Sequence, residues 1–308
     1  MIGLCLSDPH PDRAGDGSPI RTLSAARYAG RYRLVDFMLS NMVNSKIYTI
    51  GMILNSHFQS LIDHIGMGKD WDLARKSGGV TFFPPYYADE RRSVNNELDG
   101  PLYRTAEYLK KAHHQDYIVL ADSSVVYNID YRKAFEAHKK SSADVTAIYT
   151  KKKISQGERE NTIAFNISED NHVSGVDLAP PNADVVNVSL GAYIMHKRHF
   201  IQLTAGEKNC GMLHFSRVLL AGALDRLKTV AYEFKGYSAH ICSIETFFHY
   251  NMDILDIDNR NALFDFEGRQ ILTNRRDSLP TKYGKTAEIK NSIIADGCQI
   301  DGTVINST

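Results

Sequence analysis

The stretch VLADSSVVYNIDY, residues 119–131, places one carboxylate and two hydroxyls, Asp122, Ser123 and Ser124, directly after an apolar run. A short apolar run ending in polar residues predicts a buried strand, and in an open α/β sheet ligands sit at the carboxyl ends of such strands. A carboxylate there could ligate Mg²⁺, which prefers hard oxygen donors; two serines unaided could not. Asp130 and Glu245 are the other acids that could be recruited to such a metal site. A second constellation is RTLSAARYAGRYR, residues 21–33, where Arg21, Arg27, Arg31 and Arg33 gather around a glycine. Guanidinium forks suit phosphate, which makes Arg21, Arg31 and Arg33 candidates for an anionic effector or phosphate site. The competing reading pairs these arginines with Asp36 and other acids as structural ion pairs.

Such residues need a scaffold, and the chain shows one. MIGLCLS, IYTIGMIL, DYIVLAD and DVTAIYT read as strands, separated by segments with helical spacing. In RLVDFMLSNMVNSK the stripe Leu34, Phe37, Met38, Asn41, Met42 and Ser45 follows i, i+3, i+4 steps; HFQSLIDHIG and LYRTAEYLKKAHH behave similarly. This alternation predicts an α/β fold, a mostly parallel Rossmann-like sheet with helices on both faces. Beyond about residue 160 the texture shifts to shorter strands, TIAFNIS, NVSLGAYIM and TVAYEFKGYSAHIC, and then to helical SIETFFHYNMDIL, all read as completing the same domain. The last 24 residues differ again. Ile294 and Ile300 stand six apart, with Gly297 and Gly302 at corners, the pattern of a parallel β-helix rung. Rungs stabilise one another by stacking, so the pattern predicts an α/β domain over 1–284, the start of a β-helix over 285–308, and a repeat that continues past Thr308; a terminal hairpin is the plainer alternative.

Composition narrows the function classes. Of the 308 residues 43% are hydrophobic, enough for a large core, and 36 basic residues balance 36 acidic ones. A chain without net charge or long basic runs is not built to collect nucleic acid or an anionic membrane, so binding must come from local clusters. Cys5, Cys210, Cys242 and Cys298 show no metal-type or redox-type spacing, and no apolar run nears the ~18 residues of a membrane span. A soluble cytoplasmic protein is expected.

GRYRLVDFMLSNMVNSKI resembles a segment of the bacterial glucose-1-phosphate adenylyltransferase family, and QSLIDHI, IVLADSSVVYNIDY, VSLGAYIM, SIETFFHYNMDIL, ILTNRRDSLPTKY and the terminal rung follow in the family's order. The resemblance covers nearly the whole chain. It implies a nucleotide-binding α/β domain joined to a left-handed β-helix, assembled as a tetramer that makes ADP-glucose for glycogen.

Nucleotidyl transfer moves highly charged groups, so it needs a backbone phosphate cradle, cations, and carboxylates for Mg²⁺. By this resemblance each requirement is altered. Where the family has G-G-x-G-T-R-L, this chain has DPHPDRAGDGSPIRTLS, whose prolines and acids oppose a nest of NH groups around phosphate. The lysine of R-A-K-P falls on Leu23. The aspartate of L-A-G-D-H falls on Ser123 or Ser124, depending on which flank sets the register, and never on Asp122. The aspartate of W-x-D-V-G-T falls on His240, read either as a buried histidine or as a ligand for a softer metal. The lysine of F-x-E-K-P falls on Ala179. The arginines matching Arg21 and Arg33 lie, in the family, where anionic effectors bind.

The expectation is therefore a GlgD-type regulatory subunit with negligible catalysis and no cofactor of its own, working in a hetero-oligomer with a catalytic subunit or as a homo-oligomer, and taking a sugar-phosphate or nucleotide effector. Two alternatives stand beside it: an active enzyme with a rearranged Mg²⁺ site, and a stand-alone sensor of a sugar phosphate or nucleotide.

Overall fold

The computed structural model describes residues 1–6, 22–54, 57–85, 101–111, 114–154, 156–159, 162–178, 180, 185–205, 215–275 and 278–308. In chain order the elements begin with β1 (Ile2–Leu6), a small hairpin β2 (Arg27–Tyr28) and β3 (Tyr32–Arg33), α1 (Leu34–Asn44), β4 (Thr49–Ile53), α2 (Gln59–Ile65) and β5 (Gly79–Phe83). Next come α3 (Pro101–Lys111), β6 (Tyr117–Asp122), β7 (Val125–Tyr127), α4 (Tyr131–Ser141), β8 (Val145–Lys152) and the single turn α5 (Gln156–Arg159). The second half holds β9 (Ile163–Ile167), β10 (Val173–Leu178), β11 (Val186–His196), α6 (Lys197–Leu203), β12 (Thr229–Glu233), β13 (Ser238–His240), α7 (Ile244–Asp253) and α8 (Ile257–Phe264). The chain closes with β14 (Lys282–Tyr283), β15 (Glu288–Lys290), β16 (Gln299–Ile300) and β17 (Thr303–Ile305).

Strands β5, β4, β1 and β6 lie side by side and parallel, and every residue of β1 is buried. A central parallel strand is covered on both faces, which is why IGLCL reads as a continuous apolar run rather than an alternating one. Beyond β6 the sheet changes direction: β11 runs antiparallel to β6, β8 and β9, and β12 pairs parallel to β8. The parallel architecture expected from the sequence thus describes the first half, and a reversed strand joins it to the second. β11 carries a bulge between Ser189 and Ala192, with Gly191 at φ 61°.

Two apolar layers flank the sheet. One gathers Met38, Met42, Leu61, Trp71 and Tyr131 around the α1, α2 and α4 side; the other gathers Leu109, Phe165, Tyr193, Phe200 and Phe215 on the α3 and α6 side. A third cluster, with Tyr28, Phe37, Tyr250, Ile254 and Leu263, packs α7 and α8 against the outer side of α1. Helix α1 is therefore enclosed, and Leu34 to Met42 are all buried. Gly3 permits its close approach to the sheet, because a Cβ there would stand 2.3 Å from Met42 Sδ.

Enclosure gives the polar members of the α1 stripe specific duties. Asn41 Nδ2 donates to Tyr127 O (2.9 Å) while its Oδ1 accepts from Ile129 N (3.0 Å), and Ser45 Oγ accepts from Tyr131 N (2.8 Å). These bonds hold the chain that leaves β6 and β7 and enters α4. The segment after α8 is tied down in the same way, through Ser40 to Leu272 and through Asn128 Nδ2 to Arg269 O.

At the end of the sheet opposite Asp122, His138 Nδ1 contacts Thr146 Oγ1 (2.8 Å), and His199 Nε2 lies 3.2 Å from Asp144 Oδ1. Burial lowers the pKa of both imidazoles, against the raising influence of Asp144. Their proton affinity is then weaker folded than unfolded, so the stability they confer is present above about pH 6.5 and is lost as pH falls below it.

Two outcomes follow. Asn41→Ala, which leaves a buried NH and a buried carbonyl unpaired, is expected to cost about 2–4 kcal/mol in denaturant unfolding. The unfolding midpoint should fall between pH 7.5 and pH 5.5, by no more than ~1.4 kcal/mol per pH unit for each proton taken up. The dependence should flatten in a His138→Gln/His199→Gln variant.

Candidate functional site

The carboxyl ends of β1 and β6 meet where a ligand would enter. Ser123 Oγ donates to Leu6 O at 2.6 Å, and Ser24 Oγ lies 2.6 Å from Ser123 Oγ. A hydroxyl has one proton, and Ser123 spends it on Leu6, so Ser24 is the donor in that pair. The result is a neutral chain, Ser24 to Ser123 to the Leu6 carbonyl, fully buried across the strand ends. Ser124 contributes its backbone: its N–H donates to Asp122 Oδ1 (2.7 Å) and its carbonyl accepts from Ile241 N (3.0 Å). Its buried hydroxyl has no partner.

Asp122 is buried behind this turn and lies against the β11 bulge, where a Cβ on Gly191 would stand 2.6 Å from Asp122 Cβ. Glycine at positive φ therefore lets β11 pass the carboxylate. Asp130 is elsewhere in the chain's economy: it caps α4 and is held by Arg132 through Nε (2.9 Å) and Nη2 (2.8 Å). Burial raises its pKa, but the bonds from Arg132 outweigh that and leave it below the ordinary carboxylate value. Glu245 is exposed in the first turn of α7, its pKa lowered by its own backbone NH and by Ser243. His240 is buried on β13, which pairs with β7. Among the described residues, no three His, Cys, Asp or Glu side chains converge as a metal-binding group. Among the described residues the strand end offers one carboxylate, bonded to the Ser124 NH, and these residues by themselves do not make a two-carboxylate Mg²⁺ site.

Leu23, where the resemblance expects a lysine, packs against the third apolar cluster. Arg21, Ala179 and the segment 7–21 lie outside the described residues. One cation at the same end of the sheet was not singled out from the sequence. Lys152, at the end of β8, donates from Nζ to Glu158 Oε1 (2.9 Å) and to Tyr250 Oη (2.7 Å), and Tyr250 donates to the same Glu158 oxygen. Its place in the KKK run gave no hint of this partner, because Glu158 and Tyr250 reach it only through α5 and α7.

Of the second constellation, Arg27, Arg31 and Arg33 are described and lie together, and Arg21 is outside the described residues. The β2–β3 hairpin turns through Ala29 (φ 50°) and Gly30 (φ 78°), and its register sets Arg27 directly opposite Arg33. Like charges placed opposite each other repel. Arg33 is buried; its Nη1 donates to Ser60 O (2.8 Å), and its backbone NH donates to Asp36 Oδ2 (2.8 Å). Asp36 Oδ1 bonds His64 Nε2 at 2.6 Å. Structural pairing thus involves the Arg33 backbone and His64, while the guanidinium groups of Arg27 and Arg31 have no partner among the described residues. Arg27, Arg31, Arg33, His64 and Arg275 line one pocket of about 100 Å³, the scale of a phosphate group. The buried hydroxyl of Thr273, without a partner, lines it too. Arg275 was missed from sequence; its neighbours in TNRRDS are the only local sign, since the segment returns to the hairpin from far along the chain.

A strand-end cleft on a β5-β4-β1-β6 parallel sheet defines an α/β protein of the nucleotidyltransferase type. Residues 22–256 match the nucleotidyl transferase family. Full-length similarity extends to the glucose-1-phosphate adenylyltransferase of Clostridium botulinum (strain Eklund 17B / Type B), 32% identical over 311 residues that cover 100% of this chain and 79% of the relative. The glucose-1-phosphate adenylyltransferase of Thermosipho africanus is 30% identical over 310 residues, covering 100% and 74%. The glycogen biosynthesis protein GlgD of Bacillus subtilis (strain 168) is 30% identical over 310 residues, covering 99% and 78%. The chain belongs to the nucleotidyl transferase family and, within it, to the group formed by the glucose-1-phosphate adenylyltransferases and GlgD. Identity of 30–32% does not separate catalytic relatives from GlgD; the side chains in the cleft must do so.

The hydroxyl chain makes a contrast that mutation can read. Ser123→Ala removes the donor to Leu6 O and strands the Ser24 hydroxyl, so it should cost about 1–3 kcal/mol. Ser124→Ala deletes a hydroxyl that already lacks a partner and should be neutral to within about 0.5 kcal/mol or slightly stabilising. Paired denaturant titrations check both.

Proposed function

We propose that this chain is a non-catalytic or weakly catalytic regulatory subunit of a glucose-1-phosphate adenylyltransferase in glycogen synthesis. A catalytic relative forms ADP-glucose from ATP and glucose 1-phosphate, and this chain binds that relative and modulates it. The observation that carries the reading is the strand end of β6: a hydroxyl hydrogen-bonded to Leu6 stands where a magnesium carboxylate is needed. Leu23, packed in an apolar cluster where the resemblance expects a lysine, supports it. On this reading the chain needs no Mg²⁺ of its own.

The arginine pocket supplies the regulatory half. Arg27, Arg31 and Arg275, whose guanidinium groups have no partner among the described residues, line this pocket with His64 and the Thr273 hydroxyl and could take an anion there. A sugar phosphate or a nucleotide phosphate would supply it. The terminal parallel pairings, β14 with β16 and β15 with β17, together with the Asn291–Asn306 side-chain bond at 2.8 Å, support reading residues 285–308 as the first turn of a left-handed β-helix after an α/β domain over 1–284. That turn and the sheet edge are the natural surfaces for a hetero-oligomer with the catalytic subunit, or for a homo-oligomer. No helix among the described residues is long and apolar enough to cross a membrane, and a cytoplasmic setting suits this function.

The purified chain, given ATP, glucose 1-phosphate and Mg²⁺, should form negligible ADP-glucose, and adding it to the catalytic relative should raise the rate or shift the effector response. Robust turnover by the isolated chain overturns the proposal. In the mixed complex, Arg27→Ala/Arg275→Ala should weaken the effect of a hexose phosphate at least tenfold.

A further inference from the structure

At the end of the sheet opposite Asp122, helix α6 starts between two imidazoles, His196 and His199, whose ring centroids lie 6.4 Å apart. Both rings take a bond from the same residue. The backbone N–H of Arg198 donates to His196 Nδ1 at 3.1 Å, which makes His196 the N-cap of the helix, and Arg198 Nε donates to His199 Nε2 at 3.3 Å. Neither donor can act as an acceptor, so each bond requires a ring nitrogen without a proton. With His199 Nε2 accepting, the proton of that ring sits on Nδ1, a buried atom with no hydrogen-bond partner among the described residues. The usual N-caps are serine, threonine, asparagine and aspartate, whose oxygens still accept at mildly acid pH; an imidazole nitrogen does not.

Charges on both sides of the rings decide which form folding favours. Lys197 and Arg198 stand beside the rings on α6 itself, and His138 of α4 is near enough to His199 for the two to repel as cations. Two carboxylates oppose them. Asp116, just before β6, pairs with Lys197 Nζ at 3.5 Å; Asp144, just before β8, lies 3.2 Å from His199 Nε2 and accepts from Lys228 N at 3.0 Å. Tyr117 sits opposite His196 in the sheet register, its ring 5.5 Å away. Burial and the neighbouring cations prevail, so that both histidines have pKa values below the ordinary one. The neutral rings are therefore stabilised by folding: their bonds to Arg198 are held above about pH 6.5 and are lost as pH falls through the lowered folded values. A protonated His199 can offer its Nε2–H only to Asp144, which releases Arg198 Nε, and a protonated His196 sets a cation on the positive end of α6.

We propose that His196, Arg198 and His199 form a pH-sensitive clamp on α6, in which neutral imidazoles hold the first turn of the helix and protonation releases it. The consequence is local. Phe200, the next residue, is buried, stacks with Phe215 at 6.3 Å and closes the apolar layer on the α3 and α6 side. Loosening the turn opens that edge of the layer, while the enclosed helix α1 stays shut. The clamp lies away from both the strand-end cleft and the arginine pocket, and it is independent of the regulatory reading.

The test is hydrogen–deuterium exchange of the full chain in a series from about pH 7.5 to about pH 5, corrected for the intrinsic pH dependence of amide exchange. Opening of α6 should rise at least ~3-fold toward the acid end, with α1 changing by less than about half as much. His196→Asn supplies a cap that does not titrate in this range; combined with His199→Gln it should hold the change in α6 to within ~2-fold. His196→Ala should loosen α6 already at about pH 7.5. Thermal melting checks that the double variant is folded; if it melts early, His196→Asn alone carries the comparison and should remove at least about half of the acid-induced opening. Equal opening of α1 and α6, an α6 indifferent to pH, or a wild-type response in the Asn variant would each overturn the proposal.

Discussion

The buried carboxylate of Asp36 is the constraint around which this molecule is arranged. A carboxylate removed from water must be fully compensated, and Asp36 is compensated by the Arg33 NH, by His64 and by its position in the first turn of α1. Each partner commits a different part of the structure. Arg33 is the last residue of the hairpin, so its bond fixes where the arginines point; His64 belongs to α2, so its bond draws that helix against the same end of α1. The other end of α1 holds the β7–α4 connection through Asn41 and Ser45. One enclosed helix therefore sets the arginine pocket at its start and braces the segment that follows the strand-end cleft near its finish.

The two regions differ in how charge is handled. At the end of β6 Ser24, Ser123 and Leu6 form a neutral chain and Lys152 pairs with Glu158, while the Ser124 hydroxyl has no partner among the described residues. At the hairpin Arg27, Arg31 and Arg275 have no hydrogen-bond or ion-pair partner for their guanidinium groups among the described residues, although Asp296 lines the same pocket.

Much of the scaffold was legible before any coordinates. The apolar runs at 2–6, 49–53 and 117–122 could hardly be anything but buried strands, and the α1 stripe gave the right face of the right helix. Asn41 and Ser45 were legible as members of that stripe but not as clamps, because the backbone groups they hold lie 86–88 residues away. The reversed direction of β11 was hidden for a similar reason: a buried strand in a sheet interior reads as apolar whichever way it runs. The arginine hairpin was visible as a local cluster, since its turn residues and cations are contiguous, whereas Arg275 is brought in by a distant segment.

The sequence by itself determined the family, the strand that ends at Asp122 and the residue types that stand beside it, because these follow from local pattern and motif order. It could not decide whether Asp122 points to a ligand or into the protein, nor whether the arginines are paired. Tertiary structure decided both. The β11 bulge, passing Asp122 on Gly191, encloses that carboxylate, while Asp36 is taken up by the Arg33 NH and His64 and Arg27 and Arg31 form no ion pair among the described residues. Pairing of charges is a matter of distance in space, and spacing along the chain does not contain it.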